Sequence, residues 1–197
     1  MRVIGGRFKG RRFNPPKFFK ARPTTDFAKE SLFNLINNEI DLEGTRVLDL
    51  FSGTGSISYE FMSRGAEYVT SVDISSKYLG FIKKTAEEIN VEKRVIHTIK
   101  SDVLKFISKH DLDYDLIFAD PPYDLPEIDK IADLIFENTT LKPDALVIIE
   151  HSSSTDYSKH PNFKYLRKYG KVHFSFFHKF SQIFLEGKKI NLSLHRF

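Results

Sequence analysis

The sequence of 197 residues has no cysteine and no tryptophan. Without cysteine the chain forms no disulfide bond, thiolate zinc site or iron–sulfur cluster, and it has no cysteine nucleophile. Long apolar runs are missing too, because the purest one, residues 145–149, is far shorter than the ~20 residues that cross a bilayer. The first residues, Met-Arg-Val-Ile-Gly-Gly-Arg, include no apolar signal segment. We therefore expect a cytoplasmic protein without a membrane or metal partner.

Charge is distributed unevenly along the chain, although its net value is only +4. Residues 1–22 contain eight Lys or Arg and no acidic residue, residues 159–197 contain nine basic residues and one acidic residue, and the segment between them is acidic. The first segment mixes Arg with Gly and Phe, a composition that neutralises phosphates and stacks on unpaired bases. A solvated, partly disordered terminus is the alternative. The candidate nucleic-acid contacts are Arg2, Arg7, Lys9, Arg11 and Arg12.

Apolar runs and helical stretches alternate from Thr24 onward, with no repeat and no low-complexity linker. This pattern predicts one α/β domain with a mostly parallel sheet and helices on both faces. Ligand sites in such sheets lie at the carboxyl ends of the strands. The predicted strands cover residues 46–51, 68–74, 94–101, 114–119, 145–150, 172–178 and 181–185, and the predicted helices cover residues 24 to about 44, 56–64, 75–90, 103–109 and 127–138.

A glycine turn follows the first predicted strand, where residues 49–55 read Asp-Leu-Phe-Ser-Gly-Thr-Gly. Gly53 and Gly55 allow the backbone to turn sharply and to lie against a ligand, and the next helix offers its free N–H groups to an anion. A tight strand-to-helix turn also needs glycine for steric reasons alone, so a nucleoside ligand and a structural turn are both open. The third glycine of the dinucleotide fingerprint is missing, which disfavours NAD and a dehydrogenase.

Acidic residues end the next two predicted strands. Asp73 follows Asp49 by 24 residues, and an acid at this place accepts hydrogen bonds from the hydroxyls of a ribose. Asp102 ends the third predicted strand. Both residues also suit a helix N-cap. Three successive strands that carry or end in an acid, with a glycine turn after the first, favour an adenosine-type ligand.

The most specific motif is Asp120-Pro121-Pro122-Tyr123, which directly follows the fourth predicted strand. The two prolines end the strand, remove two N–H donors and hold the carbonyls in a rigid path. A carboxylate beside fixed carbonyls suits an exocyclic amino group, which has two N–H donors, and the tyrosine offers a flat face to a base. A plain strand-terminating turn is the alternative, and the glycine turn and ribose acid upstream disfavour it.

The order of Asp49-Leu-Phe-Ser-Gly-Thr-Gly55, Asp73 and Asp120-Pro-Pro-Tyr123 resembles that of class I S-adenosylmethionine-dependent methyltransferases that act on an amino nitrogen. Three further segments narrow the resemblance to the RsmD family of bacterial 16S rRNA guanine-N2 methyltransferases, over residues 1 to about 178. These segments are Arg2-Val-Ile-Gly-Gly-Arg-Phe-Lys-Gly-Arg-Arg12, Arg22-Pro-Thr-Thr-Asp26 and Lys29-Glu-Ser-Leu-Phe-Asn34.

The resemblance implies a Rossmann-like class I methyltransferase fold with a seven-stranded, mostly parallel sheet. It implies S-adenosylmethionine as the cofactor and a guanine of 16S rRNA, within the 30S ribosomal subunit, as the target. We expect a monomer. The implied domains are a basic RNA-binding arm at residues 1–22, the methyltransferase domain at residues 23–180, and an extension of unassigned role at residues 181–197.

The resemblance also assigns roles by position. Asp120 and the Pro121 carbonyl would accept the protons of the target amino group, with Pro122 in the same catalytic loop and Tyr123 stacking on the flipped-out base. Phe27 stands where many members have Arg, which implies that a contact to cofactor or phosphate is absent there. The implied cofactor contacts are Arg22, Thr24, Thr25, Asp49, Ser52, Gly53, Gly55, Asp73, Ile74, Asp102 and Val103.

Two alternatives stay open. One is an adenine-N6 methyltransferase for DNA or RNA, because the Asp-Pro-Pro-Tyr motif also serves that chemistry; DNA-specific enzymes usually carry an extra target-recognition region, for which this chain has no room. The other is an RNA-binding or assembly factor that binds the cofactor but has lost catalysis. The sequence does not reveal which guanine is the target, or whether naked RNA suffices.

Overall fold

The computed structural model describes residues 1–16, 25–89, 95–179, 182–185 and 188–191. Its helices and short 3₁₀ turns connect strands that follow one another along the chain. The helices are α1 (Asp26–Glu39), α2 (Ser56–Ser63), α3 (Ser76–Ile89), α4 (Val103–Lys109) and α5 (Ile131–Glu137), and the 3₁₀ turns are Gly6–Phe8 and Ile128–Lys130. The strands are β1 (Arg46–Leu50), β2 (Tyr68–Asp73), β3 (Val95–Lys100), β4 (Leu116–Ala119), β5 (Leu146–His151), β6 (Phe163–Tyr169), β7 (Val172–His178), β8 (Gln182–Leu185) and β9 (Lys188–Asn191).

Seven of these strands form one sheet in the order β3-β2-β1-β4-β5-β7-β6. The five strands from β3 to β5 in this order are parallel, and β7 is antiparallel to both β5 and β6. The strand order reverses between β1 and β4, and in open α/β sheets this switch point is where a crevice opens outside the carboxyl ends of the strands. The predicted fold class is confirmed.

Helices cover both faces of the sheet. On one face, α1, α2 and α3 bury side chains such as Phe33, Phe61 and Ile82 against the strands. On the other face, α4 and α5 bury Phe106 and Ile135. Because both faces are covered, the central strands are buried almost throughout, and their sequences read as continuous apolar runs.

Several boundaries differ from the sequence prediction. Helix α1 ends at Glu39 rather than near Gly44, because Ile40 is extended and Leu42 enters the core. The predicted helix over residues 127–138 is a 3₁₀ turn followed by the shorter α5. Strand β6 was not predicted; it is a half-exposed edge strand whose polar residues weaken the apolar alternation. Strand β9, also unpredicted, pairs with β8 within the extension.

Residues 1–13, which we call the N-terminal hairpin, fold onto the domain. The Val3 N–H donates to the Arg11 carbonyl (2.9 Å) and the Phe13 N–H to the Met1 carbonyl (3.0 Å). The side chains of Val3 and Phe13 are buried in the core beneath α1 and α2. This part of the predicted arm is therefore folded against the domain rather than solvated, while residues 17–22 of the arm lie outside the described residues.

Candidate active site

The turn after β1 consists largely of left-handed backbone. Phe51, Gly53 and Gly55 have φ angles of 60°, 51° and 79°. A Cβ atom on Gly55 would lie 2.7 Å from Ile82 Cγ1, so packing alone requires this glycine. Phe51 is different, because a bulky residue at positive φ is strained and such strain concentrates at functional sites. The Gly55 N–H closes the turn on the Ser52 carbonyl (2.8 Å).

Two side chains beside this turn are in environments that are unusual for their polarity. Ser52 has a buried hydroxyl with no hydrogen-bond partner among the described residues. Ile74, directly after β2, is apolar but 68% exposed. An unpaired buried hydroxyl is costly and suits a polar ligand atom, and an exposed apolar side chain suits the flat face of an aromatic ring. Both features fit the predicted adenosine-type ligand.

Asp73, the last residue of β2, is hydrogen-bonded to the glycine turn. Its Oδ2 accepts the Gly53 N–H (2.9 Å) and its Oδ1 accepts the Ser75 N–H (2.7 Å). The alternative predicted for Asp73, a helix N-cap, is not observed, because Ser75 directly precedes α3 and accepts the Tyr78 N–H (3.4 Å). A carboxylate offers about four lone-pair sites, so two bonds leave capacity for ribose hydroxyls, and that role stays a prediction.

Asp49 lies beneath the turn rather than in the open crevice. Its buried carboxylate accepts a hydrogen bond from the Ser58 hydroxyl, which in turn lies 2.8 Å from the Ser71 hydroxyl. Burial raises the pKa of Asp49 to about 7 against the hydrogen bond from Ser58, and the nearby carboxylates of Asp120 and Asp73 raise it further. Asp49 therefore ties β1 to α2 beneath the site.

Of the remaining predicted cofactor residues, two are helix N-caps, one is buried and two lie outside the described residues. Asp102 is the N-cap of α4, accepting the Lys105 N–H (3.0 Å), and Val103 beside it is buried. Thr25 is the N-cap of α1 and accepts the Ala28 N–H (3.2 Å). The capping alternative is thus observed for Asp102, and its contact with adenine stays a prediction. The other two, Arg22 and Thr24, lie outside the described residues.

The Asp120-Pro-Pro-Tyr loop begins where β4 ends, next to the glycine turn. The Asp120 N–H donates to the Leu50 carbonyl at the end of β1 (3.2 Å), and the Pro122 carbonyl accepts the Leu125 N–H (3.0 Å). Pro121 is buried and Tyr123 is 40% exposed. Burial raises the pKa of Asp120 to about 7. The loop thus brings a carboxylate of raised proton affinity and an exposed aromatic ring to the switch point.

Sequence reasoning missed Glu150, which stands at the carboxyl end of β5 beside this loop. The Tyr123 hydroxyl donates to Glu150 Oε1 over 2.9 Å. Burial raises the pKa of Glu150 to about 8, and the Asp120 carboxylate contributes in the same direction. The signal was present, since Glu150 is an acid at a strand end like Asp49, Asp73 and Asp102, but the first four strands already supplied a complete motif set.

The N-terminal hairpin packs along α2, with its Met1 end at the carboxyl edge of the sheet. Met1 Sδ is 3.7 Å from the Thr54 hydroxyl in the glycine turn. At the other end of α2, the Ser63 hydroxyl donates to the Gly5 carbonyl (2.6 Å) and accepts the Phe8 N–H (2.9 Å). The hairpin therefore follows α2 along its length and reaches the candidate cofactor turn.

The predicted RNA-binding side chains of the hairpin differ in their partners. Arg2 pairs with Asp26 (2.7 Å), and Arg11 donates to the Glu88 carbonyl (3.1 Å). The other three, Arg7, Lys9 and Arg12, are exposed and have no ion pair within the described part of the chain. They leave three cationic groups available on the hairpin.

Phe27 was noted in the sequence as a departure from the family pattern. Its ring is 69% exposed at the start of α1 and packs edge-on against Tyr169, with the centroids 6.1 Å apart. At this position the structure has an exposed apolar surface in place of a cation.

A cleft of about 660 Å³ lies at the opposite edge of the sheet, where Arg46, Tyr68 and Lys142 are among its lining residues. Its charged groups are already paired, because Arg46 contacts Asp113 (2.9 Å) and Lys142 contacts Asp115 (2.7 Å). This cleft has none of the strained turns or unpaired polar atoms found at the carboxyl edge, and we do not assign it a ligand.

The described residues contain neither a membrane-spanning helix nor a metal-binding cluster. None of their helices combines the length and apolar character needed to cross a bilayer. No group of three or more His, Asp or Glu side chains among them is arranged to hold a metal ion.

Comparison with known proteins places these features in context. A family model described as "Conserved hypothetical protein 95" matches residues 1–178. The chain is 30% identical over 181 residues to "Ribosomal RNA small subunit methyltransferase D" of Buchnera aphidicola subsp. Baizongia pistaciae, covering 90% of this chain and 91% of that protein. It is 34% identical over 158 residues to "Putative rRNA methyltransferase YlbH" of Bacillus subtilis, covering 79% and 85%.

The fold has a close counterpart among solved structures. "Putative methyltransferase yhhF from Escherichia coli" superimposes with a TM-score of 0.78 at 22% identity, covering 90% of this chain and 96% of that one. At this identity the likeness shows the fold.

Proposed function

The chain belongs to the RsmD family of methyltransferases, with S-adenosylmethionine as its cofactor, and from this premise we propose that it methylates the exocyclic N2 of a guanine in 16S rRNA. The relatives support an rRNA methyltransferase. Guanine N2 as the methylated atom and the 30S subunit as the substrate are our proposal. The observation that carries the proposal is the buried carboxylate of Asp120, held with Tyr123 at the switch point beside the glycine turn.

The residues at the glycine turn fit the cofactor. The unpaired Ser52 hydroxyl and the exposed Ile74 offer a polar and an apolar contact, and Asp73 has lone pairs for the ribose hydroxyls. Gly53 and Gly55 keep side chains out of the turn. When bound, S-adenosylmethionine supplies a methyl group on a positively charged sulfonium.

The chemistry requires orientation and a proton acceptor. Guanine N2 is a weak nucleophile because its lone pair is delocalised into the ring, so the site must hold it in line with the methyl group. Asp120 and the Pro121 carbonyl would accept hydrogen bonds from its two N–H groups, and Asp120 would take up the proton released as the N–C bond forms. Burial raises the proton affinity of Asp120, which suits that role.

The remaining parts would position the RNA. The target base must leave its stack to enter the crevice, and the exposed ring of Tyr123 would stack on it. Arg7, Lys9 and Arg12 on the N-terminal hairpin would contact phosphates of the RNA that flank the target. We further propose that the enzyme acts in the cytoplasm as a monomer.

The test is transfer of labelled methyl groups from S-adenosylmethionine to 30S subunits that lack their native guanine methylation. We expect N2-methylguanosine at a single position after digestion. N6-methyladenosine would instead support the adenine alternative, and absence of transfer despite cofactor binding would support a binding factor without catalysis. Naked 16S rRNA, assayed in parallel, decides whether the particle is required.

Matched variants sharpen this experiment. Asp120→Asn should bind cofactor normally and lower kcat by about 10²- to 10⁴-fold, the usual contribution of a positioned acid or base. Asp113→Asn, an exposed carboxylate ahead of β4 at the opposite edge, should leave kcat unchanged. Equal activity of the two variants would remove the role given to Asp120.

A further inference from the structure

One carboxylate oxygen at the candidate site has no partner. Glu150 is 5% exposed, and its Oε2 is buried without a hydrogen bond among the described residues. Its other oxygen, Oε1, is occupied by the Tyr123 hydroxyl at 2.9 Å. A buried, unsatisfied carboxylate oxygen is destabilising, and in native proteins such groups are explained by a catalytic role, by strain or by a bound water or ion.

The register of the sheet places this oxygen beside Asp120. Ala119 on β4 pairs with Ile149 on β5, so the next residues, Asp120 and Glu150, are adjacent across the two parallel strands. Two residues earlier, Phe118 and Ile148 both enter the core beneath α1 and α2, so by alternation Asp120 and Glu150 lie towards that same face. On the far side of Glu150, the buried Phe174 of β7 is its cross-strand partner.

We propose that Glu150 is a specificity-determining residue that accepts the N1–H of the target guanine at Oε2 while Asp120 accepts an N2–H. This inference rests on the proposed function. Tyr123 holds Oε1 of Glu150, so one hydrogen bond both orients the carboxylate and fixes the residue given the stacking role.

The chemistry distinguishes guanine from adenine. On guanine, the atom next to the N2 amino group on the Watson–Crick edge is N1–H, a donor. On adenine, the atom next to the N6 amino group is N1 with a lone pair, an acceptor. An ionised carboxylate accepts only, so it binds the first and repels the second. A site built around such a bond rejects an analogue that cannot make it far more strongly than an apolar pocket can.

Guanine binding would shift Glu150 from its protonated to its ionised form. In the free enzyme, burial and the Asp120 carboxylate favour the protonated form and raise its pKa to about 8. A donor hydrogen bond from guanine N1–H favours the ionised form. A base with an acceptor at N1 would instead favour the protonated carboxyl, which donates to it, so the discrimination is measured above pH 8, where the carboxyl of the free enzyme is ionised.

The test uses a base that keeps the N2 nucleophile and changes the rest of the Watson–Crick edge, turning N1 into an acceptor and the C6 oxygen into an amino group. At the target position mapped by the methyl-transfer experiment, reconstituted 30S subunits would carry either guanine or 2,6-diaminopurine, whose N2 amino group is retained but whose N1 is an acceptor. We expect the wild-type enzyme to favour guanine in kcat/KM by a factor on the order of 100, the cost of setting a buried acceptor against a lone pair. Comparable turnover of both bases would overturn the inference while leaving the proposed function intact.

A variant provides the second arm. Glu150→Gln presents an amide N–H that bonds the acceptor N1 of diaminopurine, so the preference for guanine should fall by at least 10-fold. Tyr123→Phe removes the hydroxyl that orients Glu150 Oε1 but keeps the carboxylate, so it should lower the preference for guanine less than Glu150→Gln does. An unchanged guanine preference in a folded, cofactor-binding Glu150→Gln enzyme would overturn the inference. If that variant does not fold, the wild-type comparison decides alone.

Discussion

The ammonium of Lys29 lies 3.3 Å from Glu60 Oε1 in the interior of the protein, with both side chains almost fully buried. The same Glu60 oxygen accepts the Ile4 N–H (2.5 Å), and Lys29 also donates to the Arg2 carbonyl (2.6 Å). One buried ion pair therefore joins α1, α2 and the N-terminal hairpin.

Removing one charge of this pair should destabilise the fold. We expect Glu60→Gln to lower the free energy of unfolding by about 3 kcal/mol, because it leaves the Lys29 charge buried without its counter-ion. Asp113→Asn, which breaks the exposed pair with Arg46, should cost at most about 1 kcal/mol. Urea unfolding of both variants measures the difference, and equal losses would contradict it.

Gly55 and Gly170 offer a matched pair for the steric role of the cofactor turn. Both have positive φ, 79° and 63°, but only at Gly55 would a Cβ meet a neighbour, Ile82 Cγ1 at 2.7 Å. Gly170→Ala should cost about 1–2 kcal/mol from backbone strain alone. Gly55→Ala should cost more and weaken cofactor affinity, measured by thermal unfolding and calorimetry. The prediction fails if the two variants behave alike.

The raised pKa of Asp120 predicts a pH-dependent gain of stability when its charge is removed. Because burial raises this pKa from its ordinary value near 4 to about 7, the folded state favours the protonated form. The stabilisation by this group is complete below about pH 4 and is lost as the pH rises through about 7. Asp120→Asn should therefore raise the unfolding temperature relative to wild type at pH 8 more than at pH 4.

Asp115 supplies the control of opposite sign. Burial raises the pKa of Asp115, but hydrogen bonds from the Arg46 N–H and from Lys142 outweigh it and lower the pKa overall. Its stabilisation is present above the ordinary pKa and is lost as the pH falls. Asp115→Asn should then destabilise the protein more at pH 8 than at pH 3, and parallel curves for the two variants would refute this assignment.

The N-terminal hairpin should contribute to the salt dependence of RNA binding. Each phosphate contact adds about 0.7 to 0.9 to the slope of log affinity against log salt concentration. Arg12→Ala removes an exposed hairpin cation and should reduce that slope by about this amount while leaving cofactor affinity unchanged. Lys109→Ala, which removes an exposed cation at the end of α4, is the single-charge control. Identical slopes for the two variants would count against an RNA contact at Arg12.

A double Arg11→Ala/Arg12→Ala variant is a weaker test of RNA binding than the single Arg12→Ala variant. Arg11 is already engaged with the Glu88 carbonyl and lies over the Phe13 ring, 5.8 Å from its centroid. Arg11→Ala therefore perturbs the hairpin itself, and Arg12→Ala alone reports more directly on RNA.

The fold and the strand-end residues could be predicted because their signals are local. An apolar run followed by an acid or a glycine turn is visible in a few residues, and the parallel sheet then brings these ends to one edge. The C-terminal end of α1 and the edge strand β6 were not predicted. The helix ends early because Leu42 is buried in the core, and β6 has no clear apolar alternation because it is half exposed.

The burial of Lys29 and the contact between Tyr123 and Glu150 could not be predicted in this way. Each depends on segments far apart in sequence, and a lysine in a helix normally reads as a solvent-facing residue. The basic character of residues 1–22 was visible, but not that Val3 and Phe13 anchor this segment in the core.

The N-terminal hairpin contacts the polypeptide at both ends of helix α2. With eight residues this helix spans about 12 Å, and its first turn lies by Met1 while its last residue, Ser63, holds Gly5 and Phe8. The length of α2 thus separates residues 5–8 of the hairpin, which include Arg7, from the turn proposed to hold the methyl donor. Under the proposed function, the length of α2 would therefore set how far from the methyl donor the bound phosphates lie.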